Sequence, residues 1–281
     1  MNKSVDKIKL AIVYFSPTGT TKQVIDSFVK GSRGEVISSI DLTKRDIREK
    51  TQKPNFADAD LIVIGAPTYG GFLYKEFRNC IKHMVFQGKY AIAITLYGNA
   101  ATMFATREMM IIKKGNGNLL GYGEFVGEHS YSTKEIQVAK GRPNSVDLQK
   151  AVVFGESVRN RLSNKAALHF DNKISVFDRI IDFIADIKPL HTGKRFFTVP
   201  QTDKDKCINC FKCVKACPKS CIDKDMSTDK AECIVCMACV KICPAEARVA
   251  YTKNAMVKSG LRNINKHKHE SQFVVLIDDD L

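Results

Sequence analysis

The chain lacks most features that would assign it to a membrane, a secretory route or a nucleoside triphosphate. No apolar stretch approaches the ~18–20 residues that span a bilayer, which excludes a helical membrane span. The apolar run Leu10 to Phe15 is too short for the core of a secretory signal. Neither G-x-x-x-x-G-K-[ST] nor G-x-G-x-x-G occurs, so the Walker and dinucleotide phosphate loops are excluded. No block of five or six like charges and no nucleic-acid motif accompanies the net charge of +14. Tryptophan is absent, and Cys80 is the only cysteine before residue 207.

What is present begins with the other nine cysteines, all between residues 207 and 243. Cys207, Cys210, Cys213 and Cys217 follow C-x2-C-x2-C-x3-C, with Pro218 next. Cys233, Cys236, Cys239 and Cys243 repeat the spacing, with Pro244 next, offset by 26 residues at every cysteine. Disulfides suit a secreted chain, and no secretory signal is visible. Structural zinc pairs two separated C-x2-C knuckles or joins cysteine to histidine, which this doubled run fits poorly. The run resembles the ligand signature of bacterial [4Fe–4S] ferredoxins, in which the fourth cysteine of each run serves the other cluster. That resemblance implies two ligand sets: Cys207, Cys210, Cys213 with Cys243, and Cys233, Cys236, Cys239 with Cys217. Cys80 and Cys221 remain outside the run and are expected as packing residues.

Length suggests about two domains, and the first 165 residues read as an alternation of strands and helices. Strands are expected at 8–15, 35–42, 61–65, 90–96 and 118–126, with helices to about Lys30, at 74–87, at 101–114 and at 147–164. Such alternation implies a parallel, doubly wound α/β sheet. Ligands in these sheets sit beyond the carboxyl ends of strands at the topological switch point. The loop after the first strand is Ser16-Pro17-Thr18-Gly19-Thr20-Thr21, leading into a helix. Hydroxyls beside the unpaired N–H groups of a helix start suit a monophosphate.

The loop SPTGTT, the turn APTYGG and the turn LYGN resemble the three FMN-binding loops of short-chain flavodoxins. By that resemblance the fold is a flavodoxin-like five-stranded sheet, and Ser16, Pro17, Thr18, Gly19, Thr20 and Thr21 hold the ribityl phosphate. Pro67, Thr68, Tyr69, Gly70 and Gly71, with Tyr97, Gly98 and Asn99, flank the isoalloxazine. Tyr69 or Phe72, and Tyr97, are the candidates to stack on the ring. The sequence departs from ordinary flavodoxins in having no tryptophan for the flavin and in being basic. Residues 1–165 carry 25 Lys and Arg against 15 Asp and Glu, a charge that favours the anionic, fully reduced flavin.

Together the two parts resemble ferredoxin–flavodoxin fusion proteins. The resemblance implies a flavodoxin-like domain over 1–165, a connector over 166–196, a small α+β ferredoxin domain over 197–252 and a tail over 253–281. In the connector, Ile174, Phe177, Ile180, Ile181, Ile184 and Ile187 share a helix face, with Asp178, Asp182 and Asp186 expected on the solvent side. Phe196–Val199 and Arg248–Tyr251 are expected as strands bracketing the cluster module. In the tail, Lys266 to Glu270 reads as a solvated loop, and Phe273–Ile277 either adds an edge strand or stays loose. The Gly141-Arg142-Pro143 segment reads only as a turn.

The implied function is cytoplasmic electron transfer, relaying single electrons between two [4Fe–4S] clusters and FMN in a reducing, oxygen-poor cell. Its basic surface suits redox partners with acidic surfaces, without nucleic acid and without a membrane span; the sequence leaves the oligomeric state open. The alternative is an FMN-dependent reductase fed by its own clusters. A wide pocket beside Tyr69 and Tyr97 favours the reductase, and a flat, exposed flavin edge favours the carrier.

Overall fold

A computed structural model describes residues 7–50, 54–100, 104–164, 175–187, 193–266 and 269–276. The elements run β1 Lys9–Tyr14, α1 Thr20–Ser32, β2 Glu35–Asp41, α2 Arg45–Lys50, β3 Leu61–Tyr69, β4 Phe72–Leu73, α3 Lys75–Lys82, β5 Tyr90–Tyr97, α4 Phe104–Glu108, α5 Ile111–Lys114, β6 Asn118–Val126 and α6 Ser145–Ser163. They continue with α7 Val176–Ile187, α8 Gly193–Phe196, β7 Gln201–Thr202, α9 Lys212–Ala216, α10 Ala238–Lys241, β8 Arg248–Val249, α11 Ala255–Lys266 and β9 Gln272–Val275.

The sheet order is β2-β1-β3-β5-β6-β9. The five expected strands all pair in parallel. Two antiparallel strands bring the sheet to seven: β4 pairs with the end of β3, and β9 pairs along β6. The chain turns from one side of β1 to the other between β2 and β3, so the switch point lies at the carboxyl ends of β1 and β3. The tail run at Phe273 therefore adds the edge strand. Gly121 and Gly123, which weaken the strand signal of β6, make room there. A Cβ on Gly121 would lie 2.6 Å from the Val274 carbonyl oxygen, and one on Gly123 would meet Phe125 and Phe154.

Both faces of the central strands are covered, so β1, β3 and β5 are continuous apolar runs rather than alternating ones, while the edge strand β2 is largely exposed. Helices α1 and α6 bury Val24, Ile25, Phe28, Phe154 and Val158 against Leu10, Ile12, Leu61 and Ile94. The opposite face buries Val13, Phe15, Ile62, Ile64, Tyr74 and Phe77. Ile234, Cys236 and Ala238 from the cysteine segment belong to that same core, so the cysteine module is packed into the sheet domain rather than tethered to it.

Several expected elements differ. The helix expected over 74–87 stops at Lys82, and the one over 101–114 is divided into α4 and α5; residues 101–103 lie outside the described ones. Phe196–Val199 is not a strand. Phe196 ends α8, while Phe197 makes a single bridge to Thr252 and stacks on Tyr131, with ring centroids 3.8 Å apart. The outer strand of the module is β7, paired with β8.

Asp182 of α7 does not face solvent as expected, whereas Asp186 stays exposed while still pairing with Arg78. Fully buried Arg78 forms ion pairs with Glu108, at 3.1 Å, and with Asp182 and Asp186 of α7. A buried guanidinium requires anionic partners, and this requirement turns the helix. Ile181 and Ala185 pack on Phe72, while Phe177, Ile180 and Phe183 are left exposed. Ile174, His267 and Asp278–Asp280 lie outside the described residues.

Candidate cofactor sites

The carboxyl ends of β1, β3 and β5 open into a cavity of about 620 Å³. Of the loop residues singled out from the sequence, Thr18, Thr20, Pro67, Thr68, Tyr69, Gly70, Gly71, Tyr97 and Gly98 line it. Ser16, Pro17, Gly19, Thr21 and Asn99 do not. Gly19 caps α1 at φ 83°, where a side chain would be strained, and no side chain caps the helix or places an acid in its first turn. The helix start is thus open to an anion. Ser16 Oγ accepts from the Lys22 amide at 3.1 Å and fixes the loop. Thr21 Oγ1 is buried without a hydrogen-bond partner among the described residues.

Asn99 is turned away to hold the tail. Its amide nitrogen donates to the Ile264 carbonyl oxygen at 2.8 Å, and its oxygen accepts from the His269 amide at 3.2 Å. Tyr97 lines the cavity with its ring and donates its hydroxyl to the Glu270 carbonyl oxygen at 3.2 Å. Of the alternatives Tyr69 and Phe72, only Tyr69 reaches the cavity. Phe72 stacks on Phe104 at 5.1 Å beneath α7, because Ile181 and Ala185 cover it. Burial raises the Tyr69 hydroxyl well above its ordinary range, keeping it a neutral donor.

The rest of the cavity wall was not signalled by the flavin-loop pattern. Helix α11 roofs it with Met256, Val257, Gly260, Leu261 and Ile264. No element is expected here from the sequence, yet Val257, Leu261 and Ile264 recur at the i, i+4, i+7 spacing of a helix face. The loop after β6 adds Glu128, His129, Ser130 and Tyr131. Burial resists charge on Glu128, but the Lys241 ammonium and the Gly141 amide hold its carboxyl below the usual range. His129 keeps an opening onto the cavity and is otherwise enclosed by protein. Its Nδ1 accepts from the Tyr131 amide at 3.2 Å, and burial, then Lys241, lowers its pKa to about 4.

The cysteines gather around two much smaller spaces, of about 20 and 10 Å³. Cys207, Cys210, Cys213 and Cys243 wall one. Cys217, Cys233, Cys236 and Cys239 wall the other. These groupings coincide with the two sets expected from the sequence. Cys221 is buried as expected, but its thiol also lines the second space, 3.4 Å from Cys217 Sγ. Cys80 is half-buried against the sheet core. Among the described residues no three His, Cys, Asp or Glu side chains converge closely enough to hold a single metal ion.

The repeat is visible in the backbone. Asn209 and Val235, Phe211 and Met237, and Ser220 and Glu246 take left-handed conformations at matching positions. Such turns curl the loop around its cavity. The amides of Ala247, Cys221 and Val235 donate to the Sγ atoms of Cys243, Cys217 and Cys233 at 3.2, 3.4 and 3.4 Å.

The Gly141-Arg142-Pro143 segment also gains a role. The Arg142 fork pairs with Asp147, which is buried and also accepts from the Asn144 amide at 2.8 Å and from Ser271 Oγ at 2.6 Å. The turn thereby ties the start of α6 to the strand that carries the tail along the sheet.

No helix among the described residues is long and apolar enough to cross a membrane. Comparison with curated proteins gives no match. Among solved structures the chain is similar to a flavodoxin from the domain Archaea, at 14% identity over 56% of this chain and 99% of that one, with a TM-score of 0.38. It is similar to the flavodoxin of Streptococcus pneumonia TIGR4, at 16% identity over 54% and 99%, with a TM-score of 0.40. It is also similar to rubredoxin oxygen:oxidoreductase from the anaerobe Desulfovibrio gigas, at 13% identity over 58% and 38%, with a TM-score of 0.40. Residues 11–110 match the family described as Flavodoxin domain, and with the parallel sheet order they identify the N-terminal half as a flavodoxin-like α/β domain.

Proposed function

We propose that the protein is a cytoplasmic electron carrier that relays single electrons between two [4Fe–4S] clusters and an FMN. One observation carries this reading: the three cavities adjoin in a row. Arg248 lines both cysteine cavities, and Ile234 lines both the second cysteine cavity and the 620 Å³ cavity. The row sets the order, with the Cys207 set outermost and the Cys217 set against the flavin site.

The residues fit the groups. Four cysteines of the expected set border each small space, as a cubane requires, because each thiolate would bind a different iron rather than a shared ion; Cys221 is a fifth beside the second space. Cys207, Cys210, Cys213 and Cys243 would hold one cluster, and Cys233, Cys236, Cys239 and Cys217 the other. Amide donors on their sulfurs stabilise thiolate charge. Such clusters supply one-electron transfer.

At the sheet edge, Thr18, Thr20 and the uncapped start of α1 would hold the phosphate of FMN. Thr68 to Gly71, Tyr97 and Gly98 would flank its ring. FMN supplies a store for one or two electrons. Helix α11 and the loop at Glu128 would shield part of that ring from bulk water.

The roof also favours a second reading, a reductase acting on a small substrate. With α11 in place the site is a recessed, half-open cavity bearing His129 and Tyr131, rather than a flat, exposed edge. Under the carrier reading, the basic surface steers partners with acidic surfaces, and added salt slows their reduction.

The deciding experiment reduces the purified, cofactor-loaded chain anaerobically with dithionite and follows flavin and cluster absorbance together. Coordinated changes are expected; a flavin that never exchanges electrons with the clusters rejects the relay. Rapid oxidation by small two-electron acceptors, with slow oxidation by proteins, selects the reductase.

A further inference from the structure

We infer that Arg248 is a shared counter-ion of the two cysteine cavities, raising both cluster potentials together. The inference rests on the cluster reading above. Arg248 is 2% exposed and lines both cavities. Its Nη1 donates to Thr202 Oγ1 at 2.7 Å and to the Met226 carbonyl oxygen at 3.0 Å. Its Nη2 donates to the Pro200 carbonyl oxygen at 3.0 Å, to Thr228 Oγ1 at 2.7 Å and to Cys239 Sγ at 3.8 Å.

All five acceptors are neutral oxygens or a thiol, and none is a carboxylate. Nε is buried with no acceptor among the described residues. This differs from the other deeply buried arginines. Arg78 has Glu108, Asp182 and Asp186, and Arg48 has Glu76. A buried cation with neither a counter-charge nor a complete set of acceptors is unfavourable by itself. Thiolate-ligated clusters on both sides would supply the negative charge and a sulfur acceptor for Nε.

The four oxygen bonds fix the guanidinium in the partition, so it cannot swing to serve one cavity alone. Reduction adds an electron to a cluster without making or breaking a bond. A fixed cation in low dielectric favours that added charge. Because the same cation borders both spaces, its effect falls on both clusters. Arg248 also ties Pro200, Thr202, Met226 and Thr228 together, so a purely structural role is the rival.

The full chain, reconstituted anaerobically with iron and sulfide, is titrated with dithionite while electron paramagnetic resonance reads each cluster. Wild type, Arg248→Met and Arg248→Lys are compared. Both midpoint potentials are expected to fall together in R248M, with R248K between it and wild type. Unmoved potentials, or movement of one cluster alone, overturn the inference. If R248M takes up no iron, R248K decides: a smaller joint fall supports a shared counter-ion, and any other result overturns it. A wild-type chain that takes up no iron rejects the cluster reading itself, whereas loaded clusters with unmoved potentials reject only the role of Arg248.

Discussion

Arg48 of α2 donates from Nη2 to the carbonyl oxygen of Pro218, 2.5 Å away, joining the sheet domain to the end of the first cysteine run. The same guanidinium donates from Nη1 to the carbonyl oxygens of Leu42 and Thr43 at 2.8 and 2.7 Å. It also pairs with Glu76, which in turn holds Lys219 at 2.5 Å. Arg48→Met keeps the apolar stem but leaves three carbonyls without this donor. A loss of about 3 kcal/mol is expected, read as a lower denaturant midpoint. A variant within 0.5 kcal/mol of wild type, roughly the effect of an ordinary surface change, would show that the junction is held elsewhere.

Helices α1 and α6 touch through two glycines. A Cβ on Gly31 would lie 1.9 Å from the Val152 carbonyl oxygen, and one on Gly155 would lie 2.1 Å from that of Phe28. Backbone cannot yield as a side chain can, so Gly31→Ala and Gly155→Ala should each cost about 3 kcal/mol or more. Gly260 is the control. It sits within α11 with nothing within 4 Å of a built Cβ, so Gly260→Ala should stabilise by roughly 0.5–1 kcal/mol through helix propensity. Urea unfolding of the three variants checks both signs.

The contrast between what was legible and what was not follows from the range of the interactions. Strands β1, β3 and β5 were legible because burial on both faces makes them continuous apolar runs. The doubled cysteine run was legible because its spacing is local to each copy, whereas the placing of Cys243 beside the first space and Cys217 beside the second appears only in the fold. The pairing of Asp182 and Asp186 with Arg78 was hidden because Arg78 is over 100 residues away in sequence. Phe72 was ambiguous for the same reason, since α7 decides which aromatic faces the cavity. The roof at Val257, Leu261 and Ile264 was readable as a helix, but its place over the loops at the strand ends depends on Asn99 and on β9. Arg248 carries no local signal at all, because its position in the partition appears only when both runs are folded.

Asp147 offers a test of how the tail is fixed. It is buried, accepts from Arg142, Asn144 and Ser271, and its pKa is lowered: burial opposes the charge, but these donors outweigh it. Asp147→Asn removes the charge and replaces one acceptor oxygen with a donor. A loss of about 2 kcal/mol is expected. Hydrogen exchange should rise in β9 and at the start of α6, with β1 unchanged. Uniform loss of protection across the sheet would mean that Asp147 supports the whole domain rather than the tail.

His129 gives the fold an acid-sensitive point beside the main cavity. Its pKa is lowered from 6.5 to about 4 because burial, and then Lys241, disfavour the imidazolium. The folded protein therefore binds fewer protons at His129 than the unfolded chain does between these values. The associated stability is fully present above pH 6.5 and declines as the pH falls through 4. Protonation would also remove the Nδ1 lone pair that accepts from Tyr131. The full span corresponds to no more than about 3 kcal/mol, less where cavity water reaches the ring. His129→Asn carries no titrating group, so its stability should fall less steeply than wild type between pH 6.5 and 4. Carboxylates shared by both proteins cancel in that comparison. Urea midpoints at pH 7.5 and 4.5 measure the difference, and parallel losses in the two proteins would remove His129 as the cause.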